Sequence, residues 1–457
     1  MKESARSPRE ILEEVKQSDF RKVKVAVADI DGVLRGKYIH RDKFLSAAEN
    51  GFGFCNVVLG WDSSDVCYDN VRYTGWHTGY PDAQVKLDLA TFRSVPWDGG
   101  VPFFLGEFVA NDGQAPLEIC PRQLLKKVIQ RARDMGFVEA FGLEFEWFNF
   151  RETPQSLREK GFVRPEPITP GMFGYSILRA GQNQPFFNAI LDELGTFRVP
   201  IEGLHTETGP GVFEAAILYS DGLEAADRAI LFKSSVKEIG ARFGIMPSFM
   251  AKWSDKLPGS SGHIHQSLWD AQGKNAFYDE RDPNKMSATF RHFLAGQMHC
   301  APEILPFYAP TVNSYKRLVE GAWAPTKVNW GLDNRTTAFR VIPGGPKSTR
   351  LETRVSGADV NPYLAVAAAL ASGLYGIEKK LELPAEPVRG NGYRDESATR
   401  LPANLYDAAR RLGESAMARE IFGESFVEHF VNTRMWEWRQ YQTAVSSWEL
   451  ERYFEII

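Results

Sequence analysis

Polar side chains two positions apart recur in three largely apolar segments of this chain. The pairs are Glu144 and Glu146 in FGLEFEWFNF, His263 and His265 in GHIHQSL, and Glu352 and Arg354 in RLETRV. Side chains at positions i and i+2 leave a β-strand on the same face, so each segment directs two ionisable groups to one side. Three such strands predict a sheet with a concave polar wall that can hold divalent metal ions and phosphate.

The composition limits the class of protein. The 457 residues are 43% hydrophobic, which is enough for a large core and favours two or three domains. With 54 basic and 58 acidic residues the net charge is −4, which does not suggest a partner such as nucleic acid or a membrane surface. The four scattered cysteines form neither a zinc motif nor a disulfide framework, so we expect a cytoplasmic protein.

The order of predicted elements favours an α+β fold. Asp31-Gly32 between two apolar runs predicts a β-hairpin at the start of a small β-rich unit. The stretch NDGQAPLEICP is the best linker candidate, and strands alternate with helices after it.

A cluster of acids points to metal binding. Glu207 and Glu214 flank a Gly-Pro-Gly turn in HTETGPGVFE, and His205 precedes Glu207 by two residues. Carboxylates that share a site repel one another unless cations lie between them, and hard oxygen ligands suit Mg²⁺ or Mn²⁺. The alternative for any one of these acids is an exposed position on a strand edge.

Arginines near the predicted polar wall indicate an anionic substrate, because guanidinium groups match phosphate and carboxylate oxygens. They are Arg317, Arg335, Arg340, Arg350 and Arg354. The chain has no Walker A motif and no G-x-G-x-x-G after a strand, so any use of ATP must proceed without a glycine loop.

Ordered motifs over nearly the whole chain resemble the glutamine synthetase superfamily, in its γ-glutamylamide synthetase-like branch. They are VADIDGVLRGK, GLEFEWF, HTETGPGVFE, GHIHQSL, NSYKRL, DNRTTAFR and RLETRVSGADVNPYLA. The resemblance implies a small β-grasp N-terminal domain over 18–112 and a catalytic domain over 118–457, with a curved antiparallel sheet and surrounding helices. It also implies a homo-oligomer, commonly a dodecamer of two hexameric rings, with active sites shared between neighbours.

The resemblance assigns ligands by motif. It implies ATP as co-substrate and two or three Mg²⁺ or Mn²⁺ ions. Glu146, Glu207 and Glu214 would hold one ion, and Glu144, His263 and Glu352 a second. The expected ATP-binding residues are His265, Ser267, Arg335 and Arg340, and the expected glutamate-binding residues are Glu146, Gly259, Arg317 and Arg354.

Catalytic roles and an amine pocket follow from the same resemblance. The expected catalytic residues are Arg317, Arg335, Asp62 and Asp82, and the expected amine pocket is Trp323, Asp62 and Ser64. Asp62, Ser64 and Asp82 would come from a neighbouring subunit.

The departures from the family pattern concern the second substrate. Ordinary glutamine synthetases carry a glutamate just before Ala-Pro that helps to hold and deprotonate ammonium, and here Trp323 stands there. An indole cannot accept a proton but offers a flat apolar face. Glu320 is close enough in sequence to replace the missing acid, although a solvated loop acid is the simpler interpretation. Pro258-Gly259 and Asp333 also differ from the common pattern.

We therefore predict an ATP-dependent ligase that forms a γ-glutamylamide from glutamate and an organic monoamine (alkyl, hydroxyalkyl or aromatic) through a γ-glutamyl phosphate. The alternatives are an ammonia-using glutamine synthetase and a γ-glutamylpolyamine synthetase. A polyamine site would need extra acids, which the amine-side loops lack. A non-catalytic descendant and a γ-glutamyl transferase or hydrolase are further alternatives.

Overall fold

The computed structural model describes residues 6–110 and 115–457. The predicted end of the first domain at 112 and the start of the predicted linker lie outside the described residues. The described residues form a five-stranded sheet, an eight-stranded sheet and a two-stranded sheet of β11 (Lys327–Val328) and β15 (Thr399–Arg400). Among the described residues, no helix combines the length and the apolar composition that a membrane crossing requires.

The N-terminal part is a five-stranded mixed sheet in the order β2-β1-β5-β4-β3, in which β1 and β5 run parallel and the other neighbours antiparallel. Its elements are α1 (Pro8–Gln17), β1 (Lys22–Ala28), β2 (Leu34–His40), α2 (Arg41–Asn50), β3 (Phe52–Cys55), β4 (Asp82–Val95) and β5 (Val101–Phe108). The predicted hairpin is confirmed, since β1 and β2 pair from Ala28 opposite Leu34. Gly32 in its turn has φ 77°, and a Cβ there would lie 2.8 Å from the Asn361 Cα, so the turn packs directly on the C-terminal part.

The C-terminal part begins with α3 and contains the second sheet. Its helices are α3 (Pro121–Asp134), α4 (Pro154–Glu159), α5 (Ile177–Gln182), α6 (Gln184–Thr196), α7 (Gly222–Arg242), α8 (Ala288–Ile304), α9 (Ser314–Arg317), α10 (Pro362–Glu378), α11 (Leu405–Glu414), α12 (Ala416–Phe422), α13 (Glu424–Thr443) and α14 (Ser447–Tyr453). Its strands are β6 (Val138–Phe150), β7 (Ile201–Thr206), β8 (Val212–Ile217), β9 (Met246–Ser248), β10 (Gly262–Trp269), β11 (Lys327–Val328), β12 (Trp330–Leu332), β13 (Phe339–Ile342), β14 (Arg350–Thr353) and β15 (Thr399–Arg400).

Eight of these strands form one sheet in the order β12-β13-β14-β10-β6-β8-β7, with β9 beside β6. Neighbours are antiparallel except β12 and β13, which run parallel. The residues that alternate with the acids on β6 are Leu143, Phe145 and Trp147, and all three are buried. The sheet therefore has one apolar face in the core and leaves its polar face free for a site.

A helical layer covers the apolar face of the sheet. α7 packs on β6, and the alanine-rich α10 lies against α3, α7 and α8 with nearly every residue buried. α8 and α10 approach closely enough to exclude side chains, because a Cβ on Gly296 would lie 2.3 Å from the Ser372 carbonyl oxygen.

A buried arginine joins the N-terminal sheet to this layer. Arg122 of α3 donates from Nε to Asp227 Oδ1 at 3.0 Å, from Nη1 to Glu107 Oε2 at 2.7 Å and from Nη2 to Asp88 Oδ2 at 2.8 Å. Asp227 belongs to α7, whereas Glu107 and Asp88 belong to β5 and β4. Three elements are thus fixed around one cation.

Candidate active site

Strand register brings the predicted metal-binding residues together on the polar face. Glu146 on β6 lies opposite Glu214 on β8, and Glu144 lies opposite His263 on β10. His265 in turn lies opposite Glu352 on β14. Because side chains of paired residues share a face, these residues from four neighbouring strands line one wall.

One compact group consists of Glu144, His263 and Glu352, whose ligand atoms all lie within 4.8 Å of one another. The His263 Nδ1 is 3.4 Å from both Glu144 Oε2 and Glu352 Oε1. Two carboxylates and an imidazole at this spacing suit Mg²⁺ or Mn²⁺.

A second compact group consists of His205, Glu207 and Glu214. The His205 Nε2 lies 3.3 Å from Glu207 Oε1 and 3.5 Å from Glu214 Oε2. Glu146, which the sequence analysis grouped with Glu207 and Glu214, sits opposite Glu214 but accepts a 2.6 Å hydrogen bond from the Ser261 amide. A histidine thus occupies the position in this group that was predicted for an acid.

The electrostatics of the site indicate a deficit of positive charge. Burial raises the pKa of the Glu214 carboxyl to about 9, and the charges of Glu144 and Glu146 add to the shift. Burial disfavours the charged form of His205, but its hydrogen bonds to Glu207 and Glu214 outweigh that effect and raise its pKa to about 10. Protons on Glu214 and His205 therefore offset the negative charge of the crowded carboxylates. Divalent cations bound here would supply the same positive charge.

Glu352 has the opposite environment. Burial alone would raise its pKa, but electrostatic interactions with His263, Arg354 and Arg340 outweigh burial and lower that pKa to about 2. Arg354 Nη1 donates to Glu352 Oε1 at 2.5 Å, and Arg340 Nη1 donates to Glu352 Oε2 at 2.9 Å. Glu352 is thus a permanently ionised carboxylate held between cations. Arg354 itself lies one residue beyond the end of β14.

These groups line a cavity of about 680 Å³. Of the sequence-predicted site residues, its wall includes Glu144, Glu146, Glu207, Glu214, Gly259, His263, His265, Ser267, Trp323, Arg335, Arg340, Glu352 and Arg354. A cavity of this size, whose wall contains both acids and arginines, can hold metal ions together with a phosphorylated substrate.

Arg340 bridges the cavity and the surface. Its Nε donates to Asp333 Oδ1 at 2.9 Å while Nη1 contacts Glu352. Asp333, which stands where the family pattern has an arginine, therefore partly neutralises Arg340.

Gly259 lines one corner of the cavity, and the predicted site residue Arg317 lies buried directly behind it and is not part of the cavity wall. A Cβ on Gly259 would lie 2.5 Å from the Ala251 carbonyl oxygen and 2.8 Å from Arg317 Cγ, so glycine is required there. The buried Arg317 donates to the carbonyl oxygens of Val355 and Arg354 and to Ser261 Oγ at 2.9 to 3.1 Å. Burial lowers the pKa of Arg317 to about 10. Its guanidinium therefore supports the wall from behind Gly259.

Trp323 lies at the mouth of the cavity. It has φ 59° and its side chain is 57% exposed. Glu320 points elsewhere, because its Oε1 lies 3.3 Å from Arg400 Nη1 and 3.9 Å from Lys327 Nζ. The ion pairs of Glu320 agree with a surface acid and not with a proton acceptor beside Trp323.

Three predicted residues lie away from this cavity within the single chain. Asp62 accepts hydrogen bonds from the Ser64 amide at 2.8 Å and from Trp436 Nε1 at 3.1 Å. Asp82 is the exposed first residue of β4. Asp62, Ser64 and Asp82 all belong to the N-terminal part. They were predicted to enter the active site of a neighbouring subunit, not that of their own chain.

The sequence analysis missed several residues of the cavity wall. Tyr175 lies in a loop at φ 55° and stacks on His205 with ring centroids 4.4 Å apart. Trp269 at the end of β10 and Lys347 in the loop before β14 also line the wall. Trp269 could have been predicted, because it lies an even number of residues after His263 and His265 on the same strand. Tyr175 and Lys347 lie in loops, where no periodic pattern predicts the direction of a side chain.

Comparison with known proteins adds independent information. Residues 118–453 match the family model described as the catalytic domain of glutamine synthetase. Type-1 glutamine synthetase 2 of Dictyostelium discoideum is 55% identical over 451 residues, which cover 98% of this chain and 86% of that protein. Glutamate–isopropylamine ligase of Pseudomonas sp. is 39% identical over 438 residues, which cover 95% of each.

A solved structure of GmaS in complex with ADP has a TM-score of 0.85 and 28% sequence identity to this chain. The similarity covers 97% of this chain and 99% of that one. The two chains therefore share one fold over nearly their whole length.

Proposed function

Because the chain belongs to the glutamine synthetase family, a family of ATP-dependent ligases, we propose that it joins glutamate to an organic monoamine as a γ-glutamylamide. The amine is alkyl, hydroxyalkyl or aromatic. The observation that carries this proposal is Trp323, an exposed indole at the mouth of a cavity that otherwise has the acids and arginines of a phosphate-transferring site.

The acids would hold two or three Mg²⁺ or Mn²⁺ ions, which supply positive charge to the phosphates of ATP. Glu144, His263 and Glu352 are assigned to one ion. Glu207 and Glu214 are assigned to another, with Glu146 or His205 beside them. Burial, together with the charges of Glu144 and Glu146, raises the pKa of Glu214 and supports this assignment, since a bound cation would stabilise the ionised carboxylate.

The remaining wall would bind the two other groups of the reaction. His265, Ser267, Arg335 and Arg340 are assigned to ATP, and Glu146, Gly259, Arg317 and Arg354 to glutamate. The side-chain carboxylate of glutamate attacks the γ-phosphorus of ATP and releases ADP. The neutral amine then attacks the acyl carbon, expels inorganic phosphate and gives the amide. Fixed guanidinium groups stabilise the charge that develops on the phosphoryl oxygens.

The amine side of the cavity supports an organic nucleophile. Trp323 offers apolar surface to the carbon part of an amine and cannot accept a proton. Glu320 is paired with Arg400 and Lys327 and is therefore not free to hold an ammonium ion beside Trp323. A polyamine would need further acids for its second ammonium group, and the sequence of the amine-side loops supplies no extra acidic motif.

An ammonia-using glutamine synthetase is the second candidate. It is favoured by the name of the 55% identical Dictyostelium relative. In that case the proton acceptor would lie elsewhere in the cavity than at the position of Trp323.

We further propose that the active site is completed in an oligomer, for which a dodecamer of two hexameric rings is the expected form. Asp62, Ser64 and Asp82 of a neighbouring subunit would close the amine side. The division into an N-terminal domain over 18–112 and a catalytic domain over 118–457 belongs to the same proposal.

The test is steady-state ADP release with glutamate, ATP, Mg²⁺ or Mn²⁺ and a panel of nucleophiles. The panel contains ammonium, methylamine, isopropylamine, ethanolamine, aniline and putrescine, and mass spectrometry identifies each product. We expect the highest kcat/KM with a monoamine. A highest value with ammonium would establish the second candidate instead, and amide exchange without ADP release would indicate a transferase.

A further inference from the structure

The segment of the N-terminal part that carries Asp62 and Ser64 lies against helix α13, near the C-terminus. We call residues 61–72 the Asp62 loop. Tyr68 and Val71 of this loop form a small buried cluster with Trp436 of α13. The rings of Tyr68 and Trp436 meet in a T-shaped arrangement with centroids 5.9 Å apart. The Asp62 loop therefore packs directly on the C-terminal part.

Polar contacts on both sides of Trp436 hold the loop along the helix. Asn70 Nδ2 donates to the Asn432 carbonyl oxygen at 2.8 Å, and Arg439 forms an ion pair with Asp69. Asn432, Trp436 and Arg439 are spaced four and three residues apart, so they lie on one face of α13. This face of the helix supports the Asp62 loop.

Three donors hold the Asp62 carboxylate. Its Oδ1 accepts from the backbone amides of Ser64 at 2.8 Å and Val66 at 3.0 Å. Its Oδ2 accepts from Trp436 Nε1 at 3.1 Å. Because the two amides lie two and four residues ahead of the acceptor, Asp62 closes its own turn and gives the loop its shape. The buried Trp436, whose N–H is only a donor, fixes the direction in which that carboxylate lies.

The tip of the Asp62 loop is exposed, whereas the contacts that hold it are buried. Ser63, Ser64 and Val66 are exposed, but Tyr68 and Trp436 are buried. An exposed tip can enter the site of a neighbouring subunit. It can act there only if its supporting residues hold it within a fraction of an ångström of the productive geometry.

We propose that Trp436 is a positioning residue for the amine step of a neighbouring subunit. Its hydrogen bond to Asp62 sets the place at which the tip of the Asp62 loop enters that subunit's cavity. The proposal rests on the proposed completion of the active site in an oligomer. It adds a residue of α13 to the groups that determine attack by the nucleophile, and it leaves the binding of ATP and glutamate to each subunit's own cavity.

Trp436→Phe tests the positioning role, because it keeps a buried aromatic ring and removes the N–H donor. We expect kcat/KM for the preferred nucleophile to fall about five- to fiftyfold. The KM values for ATP and glutamate should stay within about twofold of those of the wild type. The double variant with Asp62→Ala should lose no more than Asp62→Ala alone, since the indole acts through that carboxylate.

Trp438→Phe is the matched control. Trp438 lies on the same helix but packs against Tyr406 and Tyr441, and its variant should keep wild-type kinetics. Hydrogen–deuterium exchange, followed by mass spectrometry of peptides that span residues 60–70, reports on the loop without any substrate. Exchange there should be about two- to tenfold faster in Trp436→Phe and unchanged in Trp438→Phe.

Mixed oligomers test whether Trp436 acts on a neighbouring subunit. One type of subunit carries Trp436→Phe, and the other carries Glu352→Gln, which disables its own cavity but keeps an intact Asp62 loop. With equal amounts of each, about one quarter of the sites combine an intact cavity with an intact loop, so activity should recover to about one quarter of wild type. Action within a single subunit would instead leave about half of the activity of Trp436→Phe alone.

Unchanged exchange in the Asp62 loop of Trp436→Phe would overturn the positioning role, whatever the activity. Faster exchange without recovery in the mixed oligomers would overturn the action on a neighbouring subunit. A wild-type protein that releases no ADP with any nucleophile would refute the ligase proposal. Faster exchange in Trp436→Phe of that protein would still support the role of Trp436 in holding the Asp62 loop.

Discussion

The Nδ1 of His263 lies 3.4 Å from Glu352 Oε1, although the two residues belong to strands β10 and β14, which are separated by α8, α9 and three other strands. The contact exists because β10 and β14 are neighbours in the sheet, with His265 opposite Glu352. Arg340 and Arg354 hold the carboxylate of Glu352 in place from the other side. The wall that we propose to bind metal is therefore a product of sheet order.

Glu352→Gln should weaken divalent-ion binding. The substitution removes a negative charge that faces His263 while it keeps the size and shape of the side chain. We expect the Kd for Mn²⁺ to rise about 10- to 100-fold, as losses at metal sites typically do. Titration followed by electron paramagnetic resonance measures free Mn²⁺ directly. Glu238→Gln, which removes a carboxylate outside the cavity, should leave the Kd unchanged; equal losses in both variants would contradict the assignment.

Metal binding should release protons, and affinity should increase with pH. The pKa of Glu214 is raised to about 9, so at pH 7 its carboxyl carries a proton that a metal ligand must lose. The apparent affinity should therefore rise from pH 6 to about 9 as Glu214 loses its proton, and further toward pH 10 if His205, whose pKa is raised to about 10, also binds the ion. Calorimetry in two buffers of different ionisation enthalpy measures the number of protons released. In Glu214→Gln that number should fall by up to one, and an unchanged number would show that Glu214 titrates outside the site.

Trp323→Glu should shift nucleophile preference toward ammonium. The substitution supplies an acid that can hold and deprotonate ammonium and removes the apolar face for a larger amine. It adds little backbone strain, because Trp323 already has φ 59° and is not a glycine. We expect the ratio of kcat/KM for ammonium to that for isopropylamine to rise at least about tenfold, the equivalent of about 1.4 kcal/mol.

Trp323→Phe is the matched control for that experiment. It keeps an aromatic face and introduces no base, so the preference for an organic amine should persist. If Trp323→Glu left the ratio unchanged, Trp323 would not determine the choice of nucleophile.

Arg122→Met should destabilise the protein strongly. The substitution leaves Asp227 buried without its cation, whereas Glu107 keeps its ion pair with Lys126. Loss of one partner of a buried ion pair costs about 3–5 kcal/mol. Chemical denaturation followed by tryptophan fluorescence measures the change in the free energy of unfolding. Arg131→Met removes a half-exposed ion pair with Glu378 and should cost about 1 kcal/mol or less. Similar losses in the two variants would contradict the role of Arg122.

The predicted family and the predicted α+β fold class are confirmed, and both could be read from ordered motifs and local patterns. The β1–β2 hairpin followed from Asp31-Gly32, because turn chemistry is local. The pairing of acids along β6 followed from strand periodicity, because i and i+2 share a face in any strand.

Other features had no local cause and were not predicted. Tyr175 reaches His205 only because its loop folds back over β7, where its amide donates to the Thr206 carbonyl oxygen. The contact of His205 with Glu214 depends on the pairing of β7 with β8, and the hydrogen bond from the Ser261 amide to Glu146 depends on the pairing of β6 with β10. Long-range packing decides both.

The sequence by itself determined which side chains share a face of each strand, since that parity is a property of the extended backbone. Tertiary structure alone decided which strands became neighbours and which side chains lay within bonding distance across them. The register of the paired strands brought the separate polar pairs into one charged cavity. The surroundings of Glu214 and His205 in that cavity set their protonation, because the energy of a charge depends on the groups around it in space.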